Sequence, residues 1–237
     1  MDMMSIRRRV LLGSRKKEEG LPDAYQRVEY IESAGTQYID TLYKPNGYCD
    51  QIKLYVDYTS LKQIDEPFQV ICGMTNNTAS ANNACFISQY STNSMVGQIG
   101  SGAETINSKD VNGIIINYGE RVQCSLYKTI DNYLHMILTD VVEKSYSKKS
   151  TTRFIPNSTL TVFCRNNAGT KVAFCTGRIH ELIIWDDPSL IFDESTIVRH
   201  LIPCYRKNDN EIGMYDTVSK TFFTNQGTGT FLKGADV

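Results

Sequence analysis

The nine residues QIKLYVDYT, Gln51 to Thr59, decide how the chain is read. Ile52, Leu54, Val56 and Tyr58 fall on one side of a two-residue repeat, and Lys53, Tyr55 and Asp57 on the other. Side chains of an extended strand point alternately to opposite faces, so this pattern predicts a strand with one buried face. The same period returns in FQVICGM from Phe68, CFISQY from Cys85, GIIINYG from Gly113, ERVQCSLYK from Glu120, YLHMILTD from Tyr133, STLTVFCR from Ser158 and KVAFCTG from Lys171. Polar, turn-rich segments separate them, notably TNNTASANNA from Thr75 and GSGAETINSKDVNG from Gly100. About a dozen short strands with few intervening helices predict an all-β, two-sheet antiparallel sandwich of jelly-roll type.

Toward the C-terminus, Met214–Thr217 and Thr221–Thr224 are two aromatic and β-branched runs parted by Val218, Ser219 and Lys220, a hairpin signal. Gly227 and Gly229 then introduce a turn into a last strand that packs Phe231 inward. ESTIVRHLIP, Glu194 to Pro203, is the one place where apolar spacing at 197, 198, 201 and 202 permits helical turns, which Pro203 would end.

At 237 residues and 41% hydrophobic composition, one domain from residue 21 to 237 can bury a large core. The first 20 residues differ. Arg7, Arg8, Arg9, Arg15, Lys16 and Lys17 give that segment a charge of +3 and leave −4 on the body, which carries none of the basic clustering of a nucleic-acid-binding surface. Only Val10, Leu11 and Leu12 follow the arginines, too short an apolar run for an export signal, and no window approaches a membrane span. The arm joins a cationic run to apolar Ile6, Val10 and Leu11, a combination suited to docking on a partner.

The seven cysteines contain no C-x-x-C pair, and Cys72, Cys124 and Cys164 fall in phase with the apolar side of their strands. Reduced core thiols and synthesis in the cytoplasm are the expectation. HELII at His180 lacks the second histidine of a zinc helix, and His135, His180 and His200 have no ligand spacing. No nucleophile elbow, phosphate loop or complete dinucleotide pattern occurs, so no catalytic residue, metal or cofactor is assigned. Glu181 with Asp186 and Asp187 has the wrong alternation for a glycosidase carboxylate pair; Asp186 and Asp187 offer oxygen ligands of the kind Ca²⁺ takes, but two adjacent carboxylates at a turn are expected to be solvated. Trp185, the one tryptophan beside 14 tyrosines, closes the apolar run ELIIW. Its place in that run puts it in the core or at its edge, and it is also the one residue singled out for contact with a sugar ring.

LPDAYQRVEYIESAGTQYIDTLYKP, Leu21 to Pro45, and the segment from Gly177 to Phe231 that ends in GTGTF resemble the two ends of a LamG-like (concanavalin A-like) jelly-roll family of gut Bacteroidales and their crAss-like bacteriophages. The match is specific at both ends and loose from residue 46 to 176. The resemblance implies that the first and last strands pair. The basic prefix resembles those of phage virion members, which implies a structural protein of the particle: a capsid decoration or head fibre anchored by its arm to capsid or other virion proteins, self-associated as a dimer or trimer, and displaying a jelly roll toward host-surface glycans. The alternative is a carbohydrate-binding module of a bacterial surface protein, followed by a jelly-roll glycosidase. Neither nucleic-acid binding nor membrane insertion is expected.

Overall fold

The computed structural model describes residues 21–61, 68–78, 81–90, 94–109, 116–139 and 144–237. In chain order the first half contains β1 Tyr25–Arg27, β2 Ile31–Ala34, β3 Ile39–Asp40, β4 Ile52–Ser60, β5 Phe68–Thr78, β6 Ala81–Tyr90, β7 Ser94–Gly100, β8 Ile106–Asn107 and β9 Arg121–Lys128. The second half adds β10 Tyr133–Thr139, β11 Lys144–Lys149, β12 Thr161–Val162, β13 Arg165–Asn167, β14 Thr170–Val172, β15 Thr176–Asp186, β16 Ile197–Arg206, β17 Ile212–Asp216, β18 Thr221–Thr224 and β19 Leu232–Lys233. Among the described residues no helix is long and apolar enough to cross a membrane.

These strands form two sheets. The larger runs β11-β10-β9-β4-β15-β16-β17-β18, with β1 on β16, β2 on β15 and β19 on β2. The smaller runs β14-β13-β5-β6-β7-β8, with β12 on β5 and β3 on β12. Pairing is antiparallel except between β13 and β5. Ile52, Leu54, Val56 and Tyr58 of β4 are at most 1% exposed and face Ile71, Cys72, Met74, Ile87 and Met95 of the smaller sheet in one core. A Cβ on Gly97 of β7 would run into Leu126 of β9, so this glycine allows a close approach of the two sheets. All seven cysteines are buried and unbridged, with burial pushing the Cys49, Cys72 and Cys175 thiols up to about 12.

The terminal segments interlock. β17 and β18 form the expected hairpin, from Gly213 opposite Thr224 to Asp216 opposite Thr221. Phe231 is 2% exposed with its ring 5.5 Å from Phe163, and β19 pairs with β2 through Leu232 to Glu32 and Lys233 to Ile31. A bridge from Val28 to Asp236 extends the closure.

Several local readings change, KVAFCTG among them, since β14 ends at Val172 and Ala173 adopts φ 54° before β15 begins at Thr176. Glu194–Thr196 is a 3-10 turn, but Ile197–Arg206 is strand and Pro203 lies inside it. β15 flanks β16 as far as Leu201, and β1 takes over at Cys204 on the same side. The Pro203 carbonyl accepts from Val28 N at 3.1 Å, so its missing N–H faces the gap between those two partners, where no ladder bond is lost. The polar segment from Thr75 is not a loop, because the β5–β6 ladder continues to Thr78 opposite Ala81. STLTVFCR is not continuous strand: Phe163 adopts φ 64°, separating β12 from β13 and delivering its ring to the core.

Candidate functional site

The outer face of the larger sheet carries the chemistry, and one irregularity in β15 determines what stands there. Ile179 pairs with Tyr58 and Glu181 with Asp57, leaving His180 as an extra residue. A bulge of this kind reverses the inward and outward phase beyond it. Ile179 is buried before the bulge, and Leu182 and Ile184 are buried after it. Glu181, Ile183 and Trp185 therefore face out.

Register then aligns His135 of β10 with Tyr127 of β9, Tyr127 with Lys53 of β4, and Lys53 with Trp185 of β15. Four adjacent strands spaced about 4.8 Å apart make this a row about 14 Å long. Tyr127 and His135 stack with centroids 5.3 Å apart and planes at 12°. Lys53 Nζ stands 4.6 Å from the Trp185 ring centroid and 5.6 Å from that of Tyr127. All four side chains are half-buried. Burial lowers the Lys53 pKa.

Phe192 meets Tyr127 edge-on at 6.0 Å and is held there by Asp187. Asp187 Oδ2 accepts from the Ile191 and Phe192 amides at 3.0 and 2.9 Å, and Oδ1 from the Ser189 amide and hydroxyl at 2.8 and 2.7 Å. Burial alone would raise this carboxyl, but these donors outweigh it and bring it down to about 2. Asp187 thus shapes a loop, while Asp186 Oδ2 accepts from the Tyr43 hydroxyl at 2.8 Å.

Farther along the same face lies an ion-pair network. Asp57, 2% exposed, accepts from Arg121 Nε and Nη2, each at 2.7 Å, and from Gln123 Nε2 at 3.4 Å. Its cross-strand neighbour Glu181 accepts from His200 Nε2 at 2.8 Å. The sequence reading, which compared Glu181 only with Asp186 and Asp187, did not see the Asp57–Glu181 juxtaposition. Both Asp57 oxygens are committed to Arg121, which makes the pair a structural brace. His180 donates from Nδ1 to the Glu29 carbonyl at 3.0 Å and accepts at Nε2 from the Thr59 hydroxyl at 3.0 Å. Burial, followed by the charge of Arg121, lowers its pKa and favours this neutral form. A cavity of about 430 Å³ opens here, where β15 and β16 part around Arg27–Tyr30, Arg121, His180 and Val237.

Of the sequence-predicted site residues, Trp185, expected in the core or at its edge, stands half-buried on this outer face. Ile6, Arg7, Arg8, Arg9, Val10, Leu11, Arg15, Lys16 and Lys17 of the arm lie outside the described residues. Lys53, Tyr127, His135 and Phe192 were missed. Lys53 was visible as a polar-phase residue of β4, but its neighbours are brought to it by register alone.

The architecture is that of a concanavalin A-like jelly-roll sandwich. No protein-family model matches the chain, and no curated protein matches it. Solved structures do. A candidate carbohydrate-binding protein from Bacteroides ovatus superimposes with a TM-score of 0.59 at 11% identity, covering 89% of this chain. This chain spans only 62% of that protein's length. CBM40 of the Ruminococcus gnavus IT-sialidase superimposes with a TM-score of 0.50 at 11% identity, covering 71% of this chain and 94% of that one. At such identity the likeness establishes the fold alone.

Proposed function

We propose that this chain is a non-catalytic carbohydrate-binding jelly roll carried on a bacteriophage particle, as a capsid decoration or head fibre held by its N-terminal arm. The row His135–Tyr127–Lys53–Trp185 carries the binding part. Aromatic rings present flat apolar faces with polar edges, matching the C–H face and hydroxyl rim of a sugar, and a sheet holds them at fixed spacing without an ordering cost on binding. The two solved structures described above, a candidate carbohydrate-binding protein and a CBM40, use the same sandwich, which supports the reading. The commitment of the Asp57 carboxylate to Arg121 and of Glu181 to a hydrogen bond with His200 supports a binding role over hydrolysis.

The particle assignment draws on the likeness of Leu21–Pro45 and Gly177–Phe231 to the phage family, and on the cationic and apolar composition of residues 1–20. Copies acting together as a dimer or trimer would strengthen weak single contacts through effective concentration. A module of a bacterial surface protein is the competing assignment.

A glycan array probed with the full chain and with Trp185→Ala tests the binding part. Binding to a defined glycan, weakened by about tenfold or more in the variant, is expected from loss of one aromatic contact worth about 1.4 kcal/mol or more. An array with no bound glycan overturns the reading. For the particle, mass spectrometry of purified phage should detect the chain, and removing residues 1–20 should abolish its incorporation. Equal incorporation of the truncated chain would move docking to the body.

A further inference from the structure

We infer that the row on the larger sheet takes an anionic sugar, its ring lying on Trp185 or Tyr127 and its carboxylate or sulfate on Lys53 Nζ. This rests on the carbohydrate reading above and adds the ligand class.

The fold supplies several of its lysines with oxygen acceptors. Lys128 is 1% exposed, and its ammonium donates to the Thr152 carbonyl at 2.8 Å. Lys148 donates to the Ala103 and Thr105 carbonyls at 2.9 and 3.3 Å. Lys171 lies 3.6 Å from Asp40, and Lys233 2.7 Å from Asp236. Lys53 is half-buried yet, among the described residues, its three N–H donors meet no oxygen acceptor and stand only over ring faces. Ring faces attract a cation but do not replace a hydrogen-bond acceptor.

The surroundings offer no substitute. Asp57 and Glu181, two carboxylates of this sheet face, belong to a rung four residues along β4 and β15, about 13 Å away at strand rise, and Asp131 in the β9–β10 turn lies at the His135 end of the row, where it accepts from the Thr129 hydroxyl. Asp57 and Glu181 are already paired, with Arg121 and His200. Burial lowers the Lys53 pKa with no neighbouring acid opposing the effect, as expected where no anion is within reach. A cation held between two aromatic rings on a flat sheet, with its acceptor missing, is complementary to a ring that brings its own anion. Inorganic phosphate or acetate would satisfy the charge but leave Trp185 and Tyr127 uncovered.

The test is calorimetric titration of the full chain with three disaccharides of one backbone, ending in glucuronate, in glucose 6-sulfate and in glucose. The two acidic ligands should bind about tenfold more tightly than the neutral one at low salt, a margin that shrinks as salt is added. Lys53→Met, which keeps the aliphatic stem, should bring the acidic ligands to the neutral level; Lys53→Arg should keep the preference; Trp185→Ala should weaken all three. A preference for only one acidic ligand identifies the anion. Equal binding of all three by the unaltered chain overturns the anionic assignment while leaving the carbohydrate reading in place. Binding of none overturns the anionic assignment for this row and leaves the carbohydrate reading to the glycan array. Thermal melting of each variant guards against misfolding; if Lys53→Met unfolds, the comparison falls to the unaltered chain and Lys53→Arg, and an acidic-ligand preference that does not shrink as salt is added refutes the proposal.

Discussion

The two outer faces of the sandwich make opposite use of the same strand chemistry. On the larger sheet, Lys53, Tyr127 and Trp185 stay half-buried, and polar groups are retained in the Asp57–Arg121 ion pair and the Glu181–His200 hydrogen bond. On the smaller sheet, Val70, Ala84, Phe86 and Val96 form a second apolar cluster, each at most 4% exposed, flanked by Phe68, Tyr90 and Ala173. Gly73 makes that closure possible. A Cβ there would meet the Phe86 side chain and stand 3.1 Å from the Cys85 carbonyl, so the glycine lets Phe86 lie across the ladder. Arg165 covers Phe68 and Phe86, its carbon 5.4 and 5.8 Å from their centroids. One face has become a small core of its own; the other keeps its rings and charges half-buried at the surface.

If that division holds, changes on the two faces separate stability from binding. The largest effect is expected at Phe86. Truncation to Ala removes a closed aromatic contact and should cost about 3–5 kcal/mol in chemical denaturation, with sugar affinity unchanged in the fraction that remains folded. A loss of affinity without loss of stability would break the comparison.

A smaller effect is expected from Asp57→Ala on the other face, which leaves Arg121 and Gln123 without their shared acceptor. Because Arg121 is half exposed and water replaces part of the loss, the cost should be about 2 kcal/mol. Binding should change little, since the row at Lys53 lies about 13 Å away along β4. A large fall in affinity at intact stability would instead place the ligand on the Asp57 rung.

The smallest effect lies at the seam between the sheets. Glu104 follows β7 and accepts from the Thr151 and Thr152 amides beyond β11, at 2.9 and 3.1 Å, and from the Ser101 amide at 3.1 Å. Burial alone would raise its carboxyl, but these donors bring it down from 4.5 to about 2. A depressed pKa stabilises the fold above the unfolded value and loses that contribution as pH falls from about 4.5 toward 2. Glu104→Gln should therefore lower stability at pH 7 by about 1 kcal/mol and flatten the acid limb of the stability curve. An acid limb identical in the variant would show that the seam does not depend on this carboxylate.

Much of this was written in local sequence. The alternation in Gln51–Thr59 placed Ile52, Leu54, Val56 and Tyr58 in the core, the phase of Cys72, Cys124 and Cys164 made them interior residues, and the spacing of Met214 to Thr224 gave the hairpin. Such features depend on which residues neighbour one another along the chain, and period two survives whatever the strand later pairs with.

Other outcomes required partners distant in sequence. Glu194–Pro203 has spacing that suits helical turns, yet Ile197–Arg206 is held extended because β15, β17 and β1 supply its hydrogen bonds, and tertiary pairing outweighs a weak local preference. Trp185 shows the same limit at the site. Counting in twos from Ile179 would bury it, but the extra residue at His180, visible only against Tyr58 and Asp57 of β4, turns it outward beside Lys53 and Tyr127. Sequence alone thus determined that the chain forms one-faced strands and what each could bury. Tertiary structure decided which side chains share a row, because register is a relation between strands and one unpaired residue reverses every side chain beyond it.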